Sequence, residues 1–308
     1  MKVSLIATVK DGGPAVAEFL ASVRGQTRTP DEVVIVDGGS TDGTLETLRA
    51  AAEVTLIDSP GANIAEGRNL AVRAATHEVI AVSDADCMLA PDWLEHLVAA
   101  VEDGADVAMG FYRPIYRSFF EACSAAVSLP EEDQVNPARF MPSSRSVAFR
   151  RETFENAGGY PEWLDIGEDM YLNHRLRALG VRMDFVRNAV AFWRVRPTIA
   201  STWRQYYRYA RGDGVAGMHA GRHALRFAVY GTAALAILAR RRGVLLALGA
   251  AAGWHASAKV RRALRLLPDR RAQRVGAAAV VPAMMFLADA AKMAGFLAGR
   301  RARARTRT

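Results

Sequence analysis

Residues 79–86 read Val79-Ile80-Ala81-Val82-Ser83-Asp84-Ala85-Asp86, a short apolar run that ends in two carboxylates one residue apart. Runs of this length, β-branched and bounded by acidic or small residues, read as buried strands. The same form recurs upstream at Val3–Val9, Val33–Asp37 and Val54–Asp58. Between and after these strands, Pro14–Arg24, Thr44–Ala52, Ile64–Ala75 and Pro91–Val101 carry helical periodicity, with Pro14 and Pro91 suited to a first helical position. Strands alternating with helices imply βαβ units, so the expected fold class is α/β, a mostly parallel sheet flanked by helices. Ligands of such sheets sit beyond the carboxyl ends of the strands, which is where Asp84 and Asp86 stand.

Further along, residues 111–145 are irregular and hold several prolines, and they read as connecting and lid material. Ser146–Arg150 reads as a strand, and Arg151–Asn156 as a short helix closed by Gly158-Gly159. Gly167–Leu179 reads as a helix stopped by Gly180, and Val181–Trp193 as a last strand. The expected division is a body at residues 1–199, with halves at about 1–110 and 111–199, and a distinct region at 200–308.

The 308 residues are 51% hydrophobic and 23% charged, which excludes a disordered chain, a collagen-like repeat and a small disulfide scaffold. Cys87 and Cys123 are the two cysteines, too few for a disulfide framework or a cysteine metal site, and they suit a reducing compartment. The start, Met1-Lys2 followed at once by the first strand, does not read as a signal peptide, so the body is expected in the cytosol.

The net charge of +8 is split unevenly. Residues 200–308 carry 21 Lys/Arg against Asp213, Asp269 and Asp289, a net of +18, whereas residues 1–199 carry a net of −10. A strongly basic tail on an acidic body points to an anionic partner. In that tail the apolar runs Ala228–Ala239 and Gly243–Trp254 are separated by Arg240-Arg241-Arg242. The basic stretch Lys259–Arg274 follows, then Val275–Gly299, apolar except for Asp289 and Lys292, which are spaced to pair on one helix face. Runs of twelve residues reach about 18 Å, short of the roughly 30 Å hydrocarbon core. Basic clusters flank every run, which a simple crossing does not satisfy. The favoured reading is therefore helices lying in an anionic membrane interface on its cytoplasmic face, or dipping in and returning. A tilted crossing by 275–299 is the second reading, and buried helices of a soluble domain or dimer interface the third.

Three polar elements carry the candidate chemistry. Asp84 and Asp86, at i and i+2 of a strand, point the same way and suit a divalent ion (Mg²⁺ or Mn²⁺) bridging to a diphosphate; a turn with a helix cap is the competing reading. Asp37-Gly38-Gly39-Ser40-Thr41-Asp42-Gly43-Thr44 joins a strand to a helix, where a strand-end carboxylate accepts from a ribose or base. Its glycines match neither a Walker nor a dinucleotide motif, and taken by itself the segment reads better as a polar turn capped by Ser40 or Asp42. Gly167-Glu168-Asp169 opens a helix, a place that stabilises an anionic general base, although an ordinary acidic first turn has the same composition.

Taken in order, Thr8, Asp37–Thr44, Gly67-Arg68-Asn69, Asp84-Ala85-Asp86, Gly158-Gly159-Tyr160 and Gly167-Glu168-Asp169 resemble the family 2 glycosyltransferases over about residues 1–195. The resemblance implies a GT-A fold and an inverting, nucleotide-sugar-dependent transferase of cell-envelope glycan biosynthesis. It implies that Thr8 and Asp37 hold the nucleoside, with Asp37 on the base, and that Arg68 assists near the base or diphosphate. Asp84 and Asp86 would form the Asp-x-Asp element, Asp86 being the direct metal ligand in preference to Asp84. Asp169 would be the base, and Glu168 would position or neutralise groups beside it. The loop Val9-Lys10-Asp11-Gly12-Gly13 departs from the family's usual first loop, and Met170-Tyr171 stand where many relatives carry a further acid.

Trp203–Gly214 interleaves aromatics with arginines, and Gln205, Arg208 and Arg211 fall on roughly one helix face. This loosely resembles the Gln-x-x-Arg-Trp element of processive synthases, which implies diphosphate or acceptor binding; an amphipathic helix facing lipid phosphate is the plainer reading. No nucleic-acid fold is recognisable, so nucleic acid is not an expected partner. The expected ligands are a nucleotide sugar, a UDP-sugar foremost, and a lipid-linked or membrane-proximal acceptor. The rival functions are a nucleotidyltransferase and a non-catalytic nucleotide-sugar-binding scaffold at the membrane.

Overall fold

The computed structural model describes residues 1–129, 131–267 and 271–305. Pro268–Arg270, within the basic stretch singled out above, and Thr306–Thr308 lie outside the described residues. The chain forms two compact units, Met1–Ile115 with Glu131–Arg194, and Tyr116–Pro130 with Val195–Thr308.

The first unit runs β1 (Val3–Val9), α1 (Pro14–Arg24), β2 (Glu32–Asp37), α2 (Thr44–Arg49), β3 (Val54–Asp58), α3 (Ile64–Ala74), β4 (Val79–Asp84), β5 (Cys87–Leu89), α4 (Trp93–Glu102) and β6 (Val107–Ile115). After α5 (Phe119–Ser128), which belongs to the second unit, come two 3₁₀ turns, β7 (Val147–Arg150), α6 (Arg151–Asn156), α7 (Glu168–Ala178) and β8 (Met183–Arg194). One eight-stranded sheet holds them in the order β3-β2-β1-β4-β7-β6-β8-β5. Pairing is parallel at β2–β3, β1–β2, β1–β4 and β6–β8, and antiparallel where β7 and β5 insert, so the sheet is mixed.

Alternation along the strands sets the layers. Ile6, Val34, Val36, Ile80, Val82 and Phe149 pack with Ala71, Val72, Phe154, Leu172 and Leu176 of α3, α6 and α7. Leu5, Val33 and Ile35, one residue out of phase, are buried on the opposite face. Strands β1 to β4 share a direction, so their carboxyl ends lie on one edge. The chain moves outward from β1 to β3 and then returns to place β4 on the other side of β1, which makes the β1–β4 boundary the switch point where α/β sheets bind ligands.

The structure corrects three expectations. Residues 111–145 are not all connection, because β6 continues through Ile115 and α5 follows, opened by a capping box between Ser118 and Glu121. Pro114 hid the strand; it is tolerated because β7 pairs only with Val107–Met109, leaving the rest of β6 with β8 as its partner. Pro91 does not begin α4. Its carbonyl accepts from Thr27 N at 2.8 Å, and the helix starts at Trp93, whose buried indole Nε1 donates to Ser146 Oγ.

The second unit adds α8 (Ile199–Ala216), α9 (Ala220–Leu238), α10 (Arg242–Leu266) and α11 (Arg271–Arg305). These helices are longer than the apolar runs that marked them, because Arg and Lys extend a helix as well as Leu does. Asp289 and Lys292 do not pair, which is the third correction. Asp289 accepts from Arg226 Nε at 2.6 Å and Tyr230 Oη at 3.1 Å, while the Lys292 ammonium lies 4.5 Å from the Tyr206 ring centroid. A single described helix, Ala272–Arg305 within α11, is long and apolar enough to cross a membrane by length and composition.

Candidate active site

Register brings the expected residues to one edge. Thr8 is opposite Asp84 across β1–β4, and Val9 is opposite Asp37 across β1–β2. Behind them α3 starts at a fixed point, because Asn63 accepts from Ala65 N and Glu66 N while Glu66 accepts from Asn63 N, a complete capping box. The next turn carries Gly67, Arg68 and Asn69. A Cβ at Gly67 would stand 3.0 Å from Thr8 Cγ2, so glycine lets the helix rest on β1 and slide Arg68 beneath the edge.

Arg68 is the hub. It is 2% exposed; one terminal nitrogen donates to Glu168 and the other to Asp84 Oδ1 at 2.5 Å, and its guanidinium lies 5.3 Å from the Tyr160 ring centroid. Asp84 Oδ2 is 3.5 Å from Arg145 Nε, so Glu168, Arg68, Asp84 and Arg145 alternate in charge along one chain. Burial pulls the Arg68 guanidinium down, but Asp84 and Glu168 outweigh it and hold its pKa above the ordinary value. Burial, with Asp169 adding to it and Arg68 opposing it, raises the Glu168 carboxyl above the usual carboxylate range. The expectation that Arg68 assists at the base or diphosphate meets a guanidinium whose two ends are held by protein carboxylates.

Asn69 completes the assembly from the same turn. Its Nδ2 donates to Tyr160 O at 2.8 Å and its Oδ1 accepts from Tyr160 N at 3.0 Å. Tyr160 thereby begins the loop that ends at Gly167, which sits in the left-handed region at φ 85° and turns the chain into α7. Glu168 and Asp169 fill the first turn of α7; Glu168 faces inward to Arg68, and Asp169 remains partly exposed, with Oδ1 accepting from Met170 N at 2.7 Å.

Asp37 is completely buried. Its Oδ1 accepts from Gly39 N and Ser40 N at 2.8 and 2.7 Å, and its Oδ2 from Ser40 Oγ at 2.5 Å. The carboxylate expected on a base is thus occupied in shaping its own loop. That loop is latched to residues 11–13, where Asp11 N donates to Ser40 Oγ and Gly12 N and Gly13 N donate to Thr44 Oγ1. Asp42 accepts from Thr44 Oγ1 at 2.6 Å, and these bonds hold its carboxyl below the ordinary value.

Asp86 follows β4, with Cys87 Sγ 3.6 Å from its Oδ1 and Arg194 reaching its carbonyl. Among the described residues no three His, Cys, Asp or Glu side chains gather as a metal cage. A hard divalent ion that takes most of its oxygens from a substrate diphosphate needs only one or two carboxylates. Asp84 and Asp86, at the end of β4 and just beyond it, are the carboxylates that would hold such an ion.

Sequence reading missed Arg145. It stands 3.5 Å from Asp84 and lies against Trp193 and Tyr112, at 4.8 and 5.8 Å from their ring centroids. A lone arginine in the polar loop Pro142–Ser146 has no periodic signature, and only the strand pairing brings it to Asp84. Gln205, Arg208 and Arg211 lie on α8 of the second unit; Gln205 Nε2 donates to Tyr209 Oη at 3.3 Å and Arg208 is exposed.

Residues 4–135 match the family model described as glycosyl transferase family 2. The O-antigen chain rhamnosyltransferase RfbN of Salmonella typhimurium is 26% identical over 62% of this chain and 65% of its own length. The succinoglycan biosynthesis protein ExoA of Rhizobium meliloti is 28% identical over 58% of this chain and 59% of its own, so the chain spans under two thirds of either relative. The mannosyltransferase PcManGT of Pyrobaculum calidifontis, solved with GDP-Man and Mn²⁺, shares the fold at a TM-score of 0.61 and 23% identity, over 95% of this chain and 87% of that one. TarS residues 1–349 of S. aureus, solved with UDP-GlcNAc, match at a TM-score of 0.54 and 15% identity, over 99% of this chain and 92% of that one.

Proposed function

Since the chain belongs to glycosyl transferase family 2 and has the GT-A fold, we propose that it transfers a sugar from a nucleotide-sugar donor to an acceptor hydroxyl with inversion at the anomeric carbon. The observation that carries this reading is the Arg68 bridge, which ties the Asp-x-Asp element to the Glu-Asp pair at the sheet's ligand edge. The nucleoside of the donor, the uridine of a UDP-sugar foremost, would lie against Thr8 and the loop shaped by Asp37. Likeness to an O-antigen chain rhamnosyltransferase and a succinoglycan biosynthesis protein supports a lipid-linked or membrane-proximal acceptor, met at the cytoplasmic face of an anionic membrane.

Asp169 is the base in this reading. It stands in the first turn of α7, and its partial exposure leaves it open to an acceptor hydroxyl. As the acceptor oxygen attacks, Asp169 takes its proton, the bond between sugar and phosphate breaks, and its electron pair stays on the diphosphate. Attack from the face opposite the leaving group inverts the centre. Arg145 offers a cation to the developing negative charge, and Arg68 and Glu168 hold Asp84 and the start of α7 in place. A divalent ion on Asp86, when bound, would supply further neutralisation of the diphosphate.

The test is release of nucleoside diphosphate from a panel of nucleotide sugars with acceptor extract. Asp169→Asn should keep donor affinity within about threefold and lower turnover by about 10²–10⁴. Unchanged turnover would remove Asp169 from the reaction.

A further inference from the structure

We propose that the corner between α9 and α10 is the element of this protein that enters the membrane, and that α11 is a packed helix of the second unit rather than a span. The inference rests on the membrane-proximal reading above and assigns that contact to particular residues.

The apolar helix α11 is already engaged along its length within its unit. Its first half packs Ala277, Val281 and Met284 against Cys123 and Ala126 of α5 and Ala263 of α10. Its second half lies backbone to backbone on α8: a Cβ at Gly295 would stand 2.1 Å from Tyr207 O, and one at Gly299 2.1 Å from Arg211 O. α8 carries the exposed Arg204 and Arg208 along the same length. Drawing this half of α11 through a bilayer would draw those guanidinium groups into the hydrocarbon, at a cost of several kcal/mol. The stretch free of α8, residues 275–287, reaches about 20 Å, too short to cross.

α9 turns its polar groups toward α8 and α11. His223 Nε2 is 2.9 Å from Asp213 Oδ2, and Arg226 and Tyr230 both donate to Asp289. Apart from the exposed Arg222 and Thr232, what remains outside is apolar. Leu225, Val229 and Ile237, spaced by fours and eights, are 66%, 42% and 63% exposed, and beside the turn Leu238 and Leu246 are 80% and 74% exposed. Trp254, two turns beyond Leu246 on the same face of α10, is 81% exposed, a residue type enriched where membranes meet water. The turn is a built structure rather than a frayed end. Arg240 takes φ 53°, and Ala239 N, Arg240 N and Arg241 N donate to Leu235 O, Ile237 O and Ala236 O.

Charge selects the occupant. Residues 220–266 contain nine Lys/Arg and no Asp or Glu, with Arg240, Arg241 and Arg242 at the corner itself. A second copy would bring the same positive charge to this face. An anionic bilayer instead offers hydrocarbon to Leu238 and Leu246 and phosphate to the arginine collar around them.

The experiment is flotation of the purified full chain with vesicles of phosphatidylcholine alone or with about one third phosphatidylglycerol. The intact protein should float with the anionic vesicles. Leu238→Asp with Leu246→Asp should weaken binding about tenfold or more, and Arg240→Gln with Arg241→Gln and Arg242→Gln should reduce it to the level on neutral vesicles. Phe286→Asp, at a residue of α11 that is 61% exposed, should bind within about twofold of the intact chain. All these positions are on the surface, and unchanged far-ultraviolet circular dichroism verifies folding. Undiminished binding by the leucine variant, or loss of binding by Phe286→Asp, overturns the assignment while leaving membrane association intact. Failure of the intact chain to float overturns both.

Discussion

Replacing Arg68 by Met removes the cation from between Glu168 and Asp84 while keeping a chain of similar length. Asp84 retains Arg145 at 3.5 Å, but the Glu168 side chain, 6% exposed, loses the guanidinium it is paired with. Leaving one member of a buried pair uncompensated costs about 3–5 kcal/mol, a large part of the stability of an ordinary domain. Glu168 would escape part of that cost by taking up a proton, so the loss should shrink between pH 7.5 and pH 5.5. Adding Glu168→Gln to Arg68→Met removes the orphaned charge and should return about 1–3 kcal/mol. Because the chain has two compact units, a global unfolding curve mixes them. Urea titration read by hydrogen exchange in peptides from β1 and β4 reports this unit alone. A loss below about 1 kcal/mol, or strictly additive effects of the two substitutions, would refute the argument that the bridge is a buried, mutually dependent unit.

Three further outcomes are expected. The Glu168 carboxyl is raised in the folded protein, so the folded state holds its proton more firmly than the unfolded chain does. That contribution to stability is complete below the unfolded pKa and is lost as pH rises through the folded one. Glu168→Gln should therefore flatten the fall in urea midpoint as pH rises from about 4.5, and parallel profiles for the two proteins would contradict it. Gly110→Ala should cost about 1–3 kcal/mol or more, because its Cβ would fall 1.9 Å from Ser146 Oγ, which holds both Trp93 Nε1 and Ala189 O; calorimetry that shows no loss would mean β6 can move aside. Arg145→Gln should raise the KM for the donor about tenfold or more with little change in circular dichroism, and an unchanged KM would remove Arg145 from the diphosphate.

The sequence by itself determined the layered α/β unit. Strand and helix signals in it are local: β1, β3, α1 and α6 have the bounds their own residues imply, because each is read from apolar period and capping within one short window. The order of acidic motifs was equally legible, since it depends on chain order alone. Tertiary structure decided what those residues touch. That Arg68 lies under Asp84 and Glu168 depends on contacts across 16 and 100 residues of chain, and that Arg145 reaches Asp84 depends on β7 pairing beside β4. The same holds for β6, whose proline suggests a loop until its pairing with β8 is known, and for Asp289, drawn to Arg226 rather than Lys292. Local energies of a few tenths of a kcal/mol per residue mark where an element starts and stops. Buried charge pairing, worth several times more, is settled only when distant segments meet.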